Sequence, residues 1–265
     1  MSRLFRSAVT VAGLLLVWQV IVSLNELPHY ILPGPLLVLE TWVARADLIA
    51  RHAGITLLEI LLGFVLGSGL GAVSAVLIGY HNSVRRWLFP VLVIAPSIPF
   101  FALAPLLVLW LGYGIASKVT MAAIIIFFPV TASLLDGLRR TEPGWLDLAR
   151  TMTAGHGGGR WAELRHVRIP AALPSLASGL RVAAAVAPIG AVVGEWVGSS
   201  AGLGYLMLHA NGRMQIDLLF AALLTLAVIA VGLYFAVDAI LRRALPWQPD
   251  SLPAEGAPAS NASTS

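Results

Sequence analysis

The chain has 265 residues, 58% hydrophobic and only 11% charged, with a mean hydropathy of +0.85; a soluble domain carries about 25% charged residues, so this composition cannot coat a globule and describes an integral membrane protein. The net charge of +4 is spread as punctuation between apolar runs instead of forming one basic face, which argues against a nucleic-acid partner. The absence of cysteine excludes a disulfide scaffold, a thiolate metal site and a cysteine nucleophile.

A bilayer core of about 30 Å takes roughly 20 apolar residues per helix, and the sequence predicts an all-α polytopic bundle of six spans, at 7–24, 55–79, 88–113, 119–135, 175–197 and 217–240. The first follows Arg3 and Arg6. Leu24, Asn25 and Glu26 at its exit offer no small-residue cleavage site, so it is read as an uncleaved span, not a signal peptide. In the connector that follows, Pro28, Pro33, Gly34 and Pro35 forbid a regular helix. Leu36–Arg51 then sets Glu40, Arg45 and Asp47 among apolar residues at near-helical spacing, as in an interfacial helix or a docking surface.

Along the second span Gly63, Gly67, Gly71, Ala75 and Gly79 recur every four residues. The third carries Pro90, Pro96, Pro99 and Pro105, more kinks than an anchor needs, which favours a moving or pore-lining helix. Pro129 interrupts the fourth span, the shortest, and Pro188 lies in the fifth, where Gly190, Gly194, Gly198 and Gly202 form a second ridge. Such ridges let backbones approach closely, within one subunit or at an interface or moving pathway. Few ionisable residues fall inside spans: Glu59, Arg181, Glu195 and Asp238. Each is costly there and is a functional candidate by default. Arg181 and Asp238, near inner ends, are expected to snorkel or pair. Glu195, in GEWVG near the outer end of the fifth span, is the foremost candidate for a gate, with structural pairing as the competing role. Gly202 and Gly204 then permit a re-entrant turn carrying Tyr205 toward the pathway. The tail beyond Trp247 is rich in Pro, Ala and Ser, so 1–247 reads as the membrane domain and 248–265 as a disordered tail.

With both termini in the cytoplasm, stretches 1–6, 80–87, 136–174 and 241–265 hold 12 of the 17 basic residues, as the positive-inside rule requires. Lys118 is the only lysine, preceded by Ser117 and followed by Val119, so no phosphate-cradling G-x-x-x-x-G-K-[ST] loop exists. Any ATP is bound by another polypeptide. The six histidines, His29, His52, His81, His156, His166 and His209, lie in loops or at membrane edges without an H-E-x-x-H pair. Neither an intramembrane enzyme nor an ion-coupled carrier with inverted repeats finds its signature here, and no metal or cofactor is expected.

The long internal loop at 136–174 is basic, with two amphipathic stretches flanking a glycine cluster, the shape of a helix–turn–helix that accepts a push from a soluble partner. Its core, DLARTMTAGHGGGRWAELRHVRIPAALP, resembles the signature loop of permease subunits of binding-protein-dependent ABC importers, E-A-A-x-x-x-G followed by I-x-L-P. Asp147 stands for the Glu, and Leu148 and Ala149 for the alanines. Val167, Ile169 and Pro170 match the closing motif, with Gly157 at the matching distance before them. Counted from Ala149, the glycine position holds Thr153, so the loop is about four residues longer, the excess filled by GHGGG. The resemblance implies an inner-membrane, non-enzymatic pore subunit whose loop docks on an ABC ATPase dimer, paired with a second permease copy and served by a periplasmic solute-binding protein. LPGPLLVLETW, APLLVLWLGYGIASK and GEWVGSSAGLGYLM resemble the nitrate/sulfonate/taurine branch. GEWVGSSAGLGYLMLHANGRMQ with FAVDAILRRALPW is most similar to hydroxymethylpyrimidine (thiamine precursor) permeases. Toward the outer side, Trp196, Tyr205, His209, Asn211, Arg213 and Gln215 suit a heterocycle without excluding an anion. Glu195, Trp196, Tyr205, Asn211 and Arg213 are the expected pathway or gate residues.

Overall fold

A computed structural model describes residues 3–25, 28–153 and 159–247. The described residues are helical and contain no strand. They form α1 (Arg3–Leu24), α2 (Pro35–Ala44), α3 (Ala46–Tyr80), α4 (Asn82–Ile94), α5 (Phe100–Leu111), α6 (Ile115–Arg139), α7 (Pro143–Thr153), α8 (Gly159–Glu163), α9 (Ile169–Gly198), α10 (Leu203–Gly212) and α11 (Ile216–Ala244). A π-helical turn, Leu164–Arg168, joins α8 to α9 without a break, so one helical rod runs from Gly159 to Gly198. The tail 248–265 and Gly157 lie outside the described residues.

The small-residue ridges decide the packing. On α3, a side chain at Gly63 would strike Ala122, and one at Gly67 would come within 2.6 Å of the Ala123 carbonyl. On α9, a Cβ at Gly190 would lie 2.6 Å from Ala122 Cα. Both ridges thus press on α6 from two sides, which places it at the centre of the bundle. Where burial from water offers no drive, this close backbone approach supplies the association. The register is regular: Glu59 meets Lys118, Gly71 meets Val130 and Gly79 meets Leu138, an offset of 59 residues each time. A constant difference means that α3 and α6 run parallel. On the other side Gly190 meets Ala122, Gly194 meets Lys118 and Gly179 meets Ser133, a falling against a rising number, so α9 is antiparallel to α6.

Parallel α3 and α6 oblige the chain between them to return to the starting side. That return is α4 and α5, which are not the single span expected at 88–113 but a pair bent by 108°. The break falls at a 3-10 turn, Ala95–Ser97, followed by Ile98 in extended conformation. Pro99 removes an amide donor and disfavours the helical conformation at the residue before it, Ile98; Pro96 removes a second donor one turn earlier, while Ala95 before it stays helical. Pro90, Pro105 and Pro129, by contrast, lie inside helices. The expected interruption of the fourth span therefore does not occur. Among the described residues four helices are long and apolar enough to cross a membrane, α3, α6, the 159–198 rod and α11; the bent pair, taken as one broken span, is a fifth candidate, and α1 contributes the shorter apolar stretch Val9–Leu24.

Two further expectations are corrected. Leu36–Arg51 is not one interfacial helix: it divides at Arg45, and α3 begins at Ala46, nine residues ahead of the expected 55. Its first part, α2, is held to α11 by Thr41 Oγ1 donating to Asp217 Oδ2 (2.9 Å) and Trp42 Nε1 donating to Thr225 Oγ1 (2.9 Å). The irregular part of the 136–174 loop also shrinks, because α8 continues into α9.

Candidate functional site

The sequence candidates separate into two regions at opposite ends of the 159–198 rod. At its C-terminal end Glu195 is 1% exposed and ties three elements together. Its Oε1 accepts from Thr56 Oγ1 at 2.6 Å, and its Oε2 accepts from the backbone N–H of Gly204. Thr56, on α3, in turn accepts from Leu203 N–H at 2.7 Å, while His52 Nδ1 accepts from Gly202 N–H at 3.0 Å. The first amides of α10 have no partners within their own helix, and here the bundle interior supplies them. Gly202, at φ 112°, provides the left-handed turn that aims α10 inward; a Cβ there would collide with the Glu195 carboxyl.

One turn along, Lys118 of α6 lies 3.1 Å from Glu59 Oε1 of α3. Both are buried, at 7% and 1% exposure. Two carboxyl groups and one amino group share this interior, and the N-terminus of α10 adds a positive pole, worth roughly half a charge. Neither oxygen of Glu59 accepts an aligned hydrogen bond. The ion pair is electrostatic and lacks the additional bonds that make buried pairs rigid.

Of the remaining outer candidates Tyr205 touches this cluster through His52, and Trp196, Asn211 and Arg213 lie outside it. Trp196 turns to the opposite side of α9, where it lines a groove of about 800 Å³ with Ile189, Met207, Asn211 and Leu223. Tyr205 lies between two imidazoles, with ring centroids 6.0 Å from His52 and 3.9 Å from His209. Arg213 is exposed at the C-terminus of α10, its backbone N–H donating to the carbonyls of His209 and Ala210. Arg181 and Asp238 do pair, at 2.7 Å. Sequence reasoning missed Lys118, Glu59, Thr56 and His52 as members of one network. The signal available was a solitary lysine and a carboxylate, each one helical turn before the small residue where α3 and α6 touch.

At the N-terminal end of the rod, α7 is an exposed amphipathic helix. Asp147 pairs with Arg150 at 3.3 Å, Leu148 is exposed and Ala149 half-buried. Val167 and Pro170 line a second groove, of about 590 Å³, with Glu142, Trp145 and Trp247, and Ile169 is half-buried beside it. Glu163 clasps the two arms: Arg168 approaches its Oε1 to 2.6 Å and Arg150 its Oε2 to 3.3 Å. Partial burial pushes the Glu163 carboxyl up, but the two guanidiniums outweigh it and hold the group below the usual carboxylate range. Arg160 donates to the Tyr80 carbonyl at 3.1 Å, fastening the same segment to the end of α3. Left-handed backbone occurs at Gly159, φ 47°. Among the described residues no three His, Cys, Asp or Glu side chains converge as a metal site would require.

Residues 60–247 match the family described as binding-protein-dependent transport system inner membrane component. The chain is 53% identical over 241 residues to a "Probable ABC transporter permease protein" of Haemophilus influenzae, covering 91% of this chain and 97% of that protein. It is 34% identical to a formylaminopyrimidine transport permease protein of Halalkalibacterium halodurans (89% and 92% covered), and 29% identical to a taurine transport system permease protein of Escherichia coli (90% and 88%). In structure it is similar to a chain of the MetNI methionine ABC transporter in an inward-facing conformation, with a TM-score of 0.65 over 76% of this chain and 97% of that one, at 20% identity.

Proposed function

This chain belongs to the family of binding-protein-dependent transport system inner membrane components and is a permease subunit of an ABC importer, a multi-pass inner-membrane protein and not itself an enzyme; from that premise we propose that α7 couples an ABC ATPase to a gate at Glu195, and that the cargo is a pyrimidine of the thiamine-precursor type. The observation that carries the coupling is an apolar stripe. Trp145, Leu148 and Met152 are 61%, 52% and 71% exposed at the i, i+3, i+7 spacing of one helix face. Nothing else in the described chain covers them. An exposed apolar stripe on a helix outside the membrane marks a contact surface, and the ATPase cleft is the partner that fits the family. Asp147, Leu148 and Ala149 enter that cleft, with Val167, Ile169 and Pro170 behind them.

Displacement of α7 reaches the membrane through Glu163, which links Arg150 to Arg168 across the hairpin. Beyond it the rod, which runs from Gly159 to Gly198, reaches Glu195 after a further 32 residues, about 48 Å at 1.5 Å per residue. A shift there pulls on the buried amides of α10 and moves Tyr205. The complete importer contains two ATPase subunits, a second copy of this chain and a periplasmic binding protein that delivers the solute. The pyrimidine cargo is supported by the formylaminopyrimidine relative and by a groove offering an indole face and one amide, Trp196 and Asn211. An anionic sulfonate is the second reading, favoured by the taurine relative and the exposed guanidinium of Arg213.

Single cysteines enter a cysteine-free background. A cysteine at Leu148 should crosslink to a co-expressed ATPase and be shielded from an impermeant reagent added outside. Outside labelling, or no crosslink from 145, 148 or 152, overturns the coupling. Uptake into binding-protein-loaded proteoliposomes then separates the cargoes: inhibition by taurine and not by an aminopyrimidine refutes the pyrimidine.

A further inference from the structure

Between α4 and α6 runs a groove that neither the coupling segment nor the Glu195 network uses. One half, of about 520 Å³, is lined by Asn82, Arg85, Arg86 and Arg139 with Phe89 and Pro90. It opens into a second, of about 330 Å³, lined by Phe89, Leu92, Phe128, Ala132 and Leu135, with Asp136 at its edge. Phe89 and Arg139 belong to both, and the Arg139 guanidinium stands 5.5 Å above the Phe89 ring. The arginines lie at the start of α4 and the end of α6, so the charged half faces the membrane surface and the apolar half runs toward the midplane. The acidic group on the groove, Asp136, is engaged by Arg140 at 2.9 Å. Among the described residues Arg85, Arg86 and Arg139 meet no carboxylate. Three unneutralised guanidiniums gathered at one spot repel one another, and their planar donors fit phosphate oxygens. Trp87, beside them and 78% exposed, is an interfacial anchor that sets this turn of α4 at headgroup depth.

We propose that this groove holds one anionic phospholipid, its phosphate bound by Arg85, Arg86 and Arg139 and one acyl chain lying along Phe89, Phe128 and Ala132. A basic pocket between transmembrane helices, continuous with an apolar furrow, matches an anionic lipid in both charge and polarity gradient. A soluble phosphate would use only the outer half. The lipid also fills the space between α4 and α6, propping one against the other.

The test is native mass spectrometry of the full chain purified with its ATPase, titrated with phosphatidylglycerol or with phosphatidylcholine of identical chains. The complex should retain phosphatidylglycerol preferentially. Arg85→Gln, Arg86→Gln and Arg139→Gln should each lower that preference by about fivefold, and the triple variant should abolish it. Ala132→Phe, which fills the furrow and leaves every charge in place, should weaken lipid retention as well. Equal retention of the two lipids overturns the proposal, as does a triple variant that keeps the preference. Displacement of phosphatidylglycerol by inorganic phosphate with Ala132→Phe silent identifies a soluble-anion site and also overturns it. A triple variant that releases the ATPase while still preferring phosphatidylglycerol assigns the arginines to protein docking, against the proposal.

Discussion

Replacing Glu195 separates a structural carboxylate from a functional one, and the geometry gives both expectations. In Glu195→Ala the N–H of Gly204 loses its acceptor in a place where no water reaches it, at about 1–3 kcal/mol for an unsatisfied buried donor. Thr56 loses its 2.6 Å acceptor but can fall back on the His52 carbonyl, 3.2 Å away, which limits that loss to about 1 kcal/mol. The alanine variant should therefore lose about 2–4 kcal/mol of stability and reach the membrane in reduced amount. Glu195→Gln is different. Its amide oxygen can take the Gly204 N–H, and its NH2 can donate to Thr56 Oγ1 while the hydroxyl turns to His52. Size and hydrogen bonds survive, and only the ionisable carboxyl at the α10 N-terminus is removed. We expect Glu195→Gln to melt within a few degrees of the parent in detergent and to assemble with its ATPase, yet to import solute several-fold more slowly. Normal uptake by the Gln variant with failed assembly by the Ala variant would make the residue purely structural. Normal uptake by both would refute the gate altogether.

Gly67→Val should abolish assembly, because a Cβ there sits 2.6 Å from the Ala123 carbonyl, whereas Gly54→Val meets nothing within 4 Å and should accumulate normally on a membrane immunoblot. Gly159→Val forces a β-branched side chain into φ 47°, at a cost of about 1–2 kcal/mol, and should lower coupling-stimulated ATP hydrolysis; an unchanged rate, with loss at Gly157→Val instead, would move the turn to Gly157. The depressed Glu163 carboxyl contributes stability that is fully present above the ordinary carboxylate range and is lost as pH falls through its own lower value. Melting temperatures of parent and Glu163→Gln should therefore differ at pH 7 and converge toward pH 3, and a constant gap would refute the clasp.

The bundle was legible where one residue type repeats with a helical period. Apolar runs marked the spans, and the glycine ridges announced two close contacts, though not that both would fall on α6. Proline was less informative. Pro90, Pro105 and Pro129 are absorbed into helices, while before Pro99 the chain breaks as Ile98 is pushed into extended backbone. Nothing local marks the division at Arg45, which follows from α2 docking on α11 through Thr41 and Trp42. Glu59 and Lys118 were visible as isolated charges, but their pairing needs the register between α3 and α6, a tertiary fact. Once Gly63 is seated on Ala122, the residues one turn earlier on two parallel helices, Glu59 and Lys118, have no other place to meet.

That register also bears on how the subunit can move. α6 is gripped by glycine contacts along both flanks, so α3, α6 and the middle of α9 form a block with little room for sliding. Rearrangement has to occur where the ridges end. At one end this is the α7–α8 hairpin, attached through Glu163 and Arg160. At the other it is α10, whose buried amides hang on Glu195, Thr56 and His52. The α4–α5 pair, broken at Ile98, also lies outside the block. A rigid centre with adjustable ends turns a displacement at α7 into a displacement at α10 without remodelling the core. A bulky residue at Gly190, where a Cβ would lie 2.6 Å from Ala122 Cα, should therefore damage assembly, whereas Glu163→Gln or Glu195→Gln should leave an assembled complex whose ATP hydrolysis drives import several-fold less well.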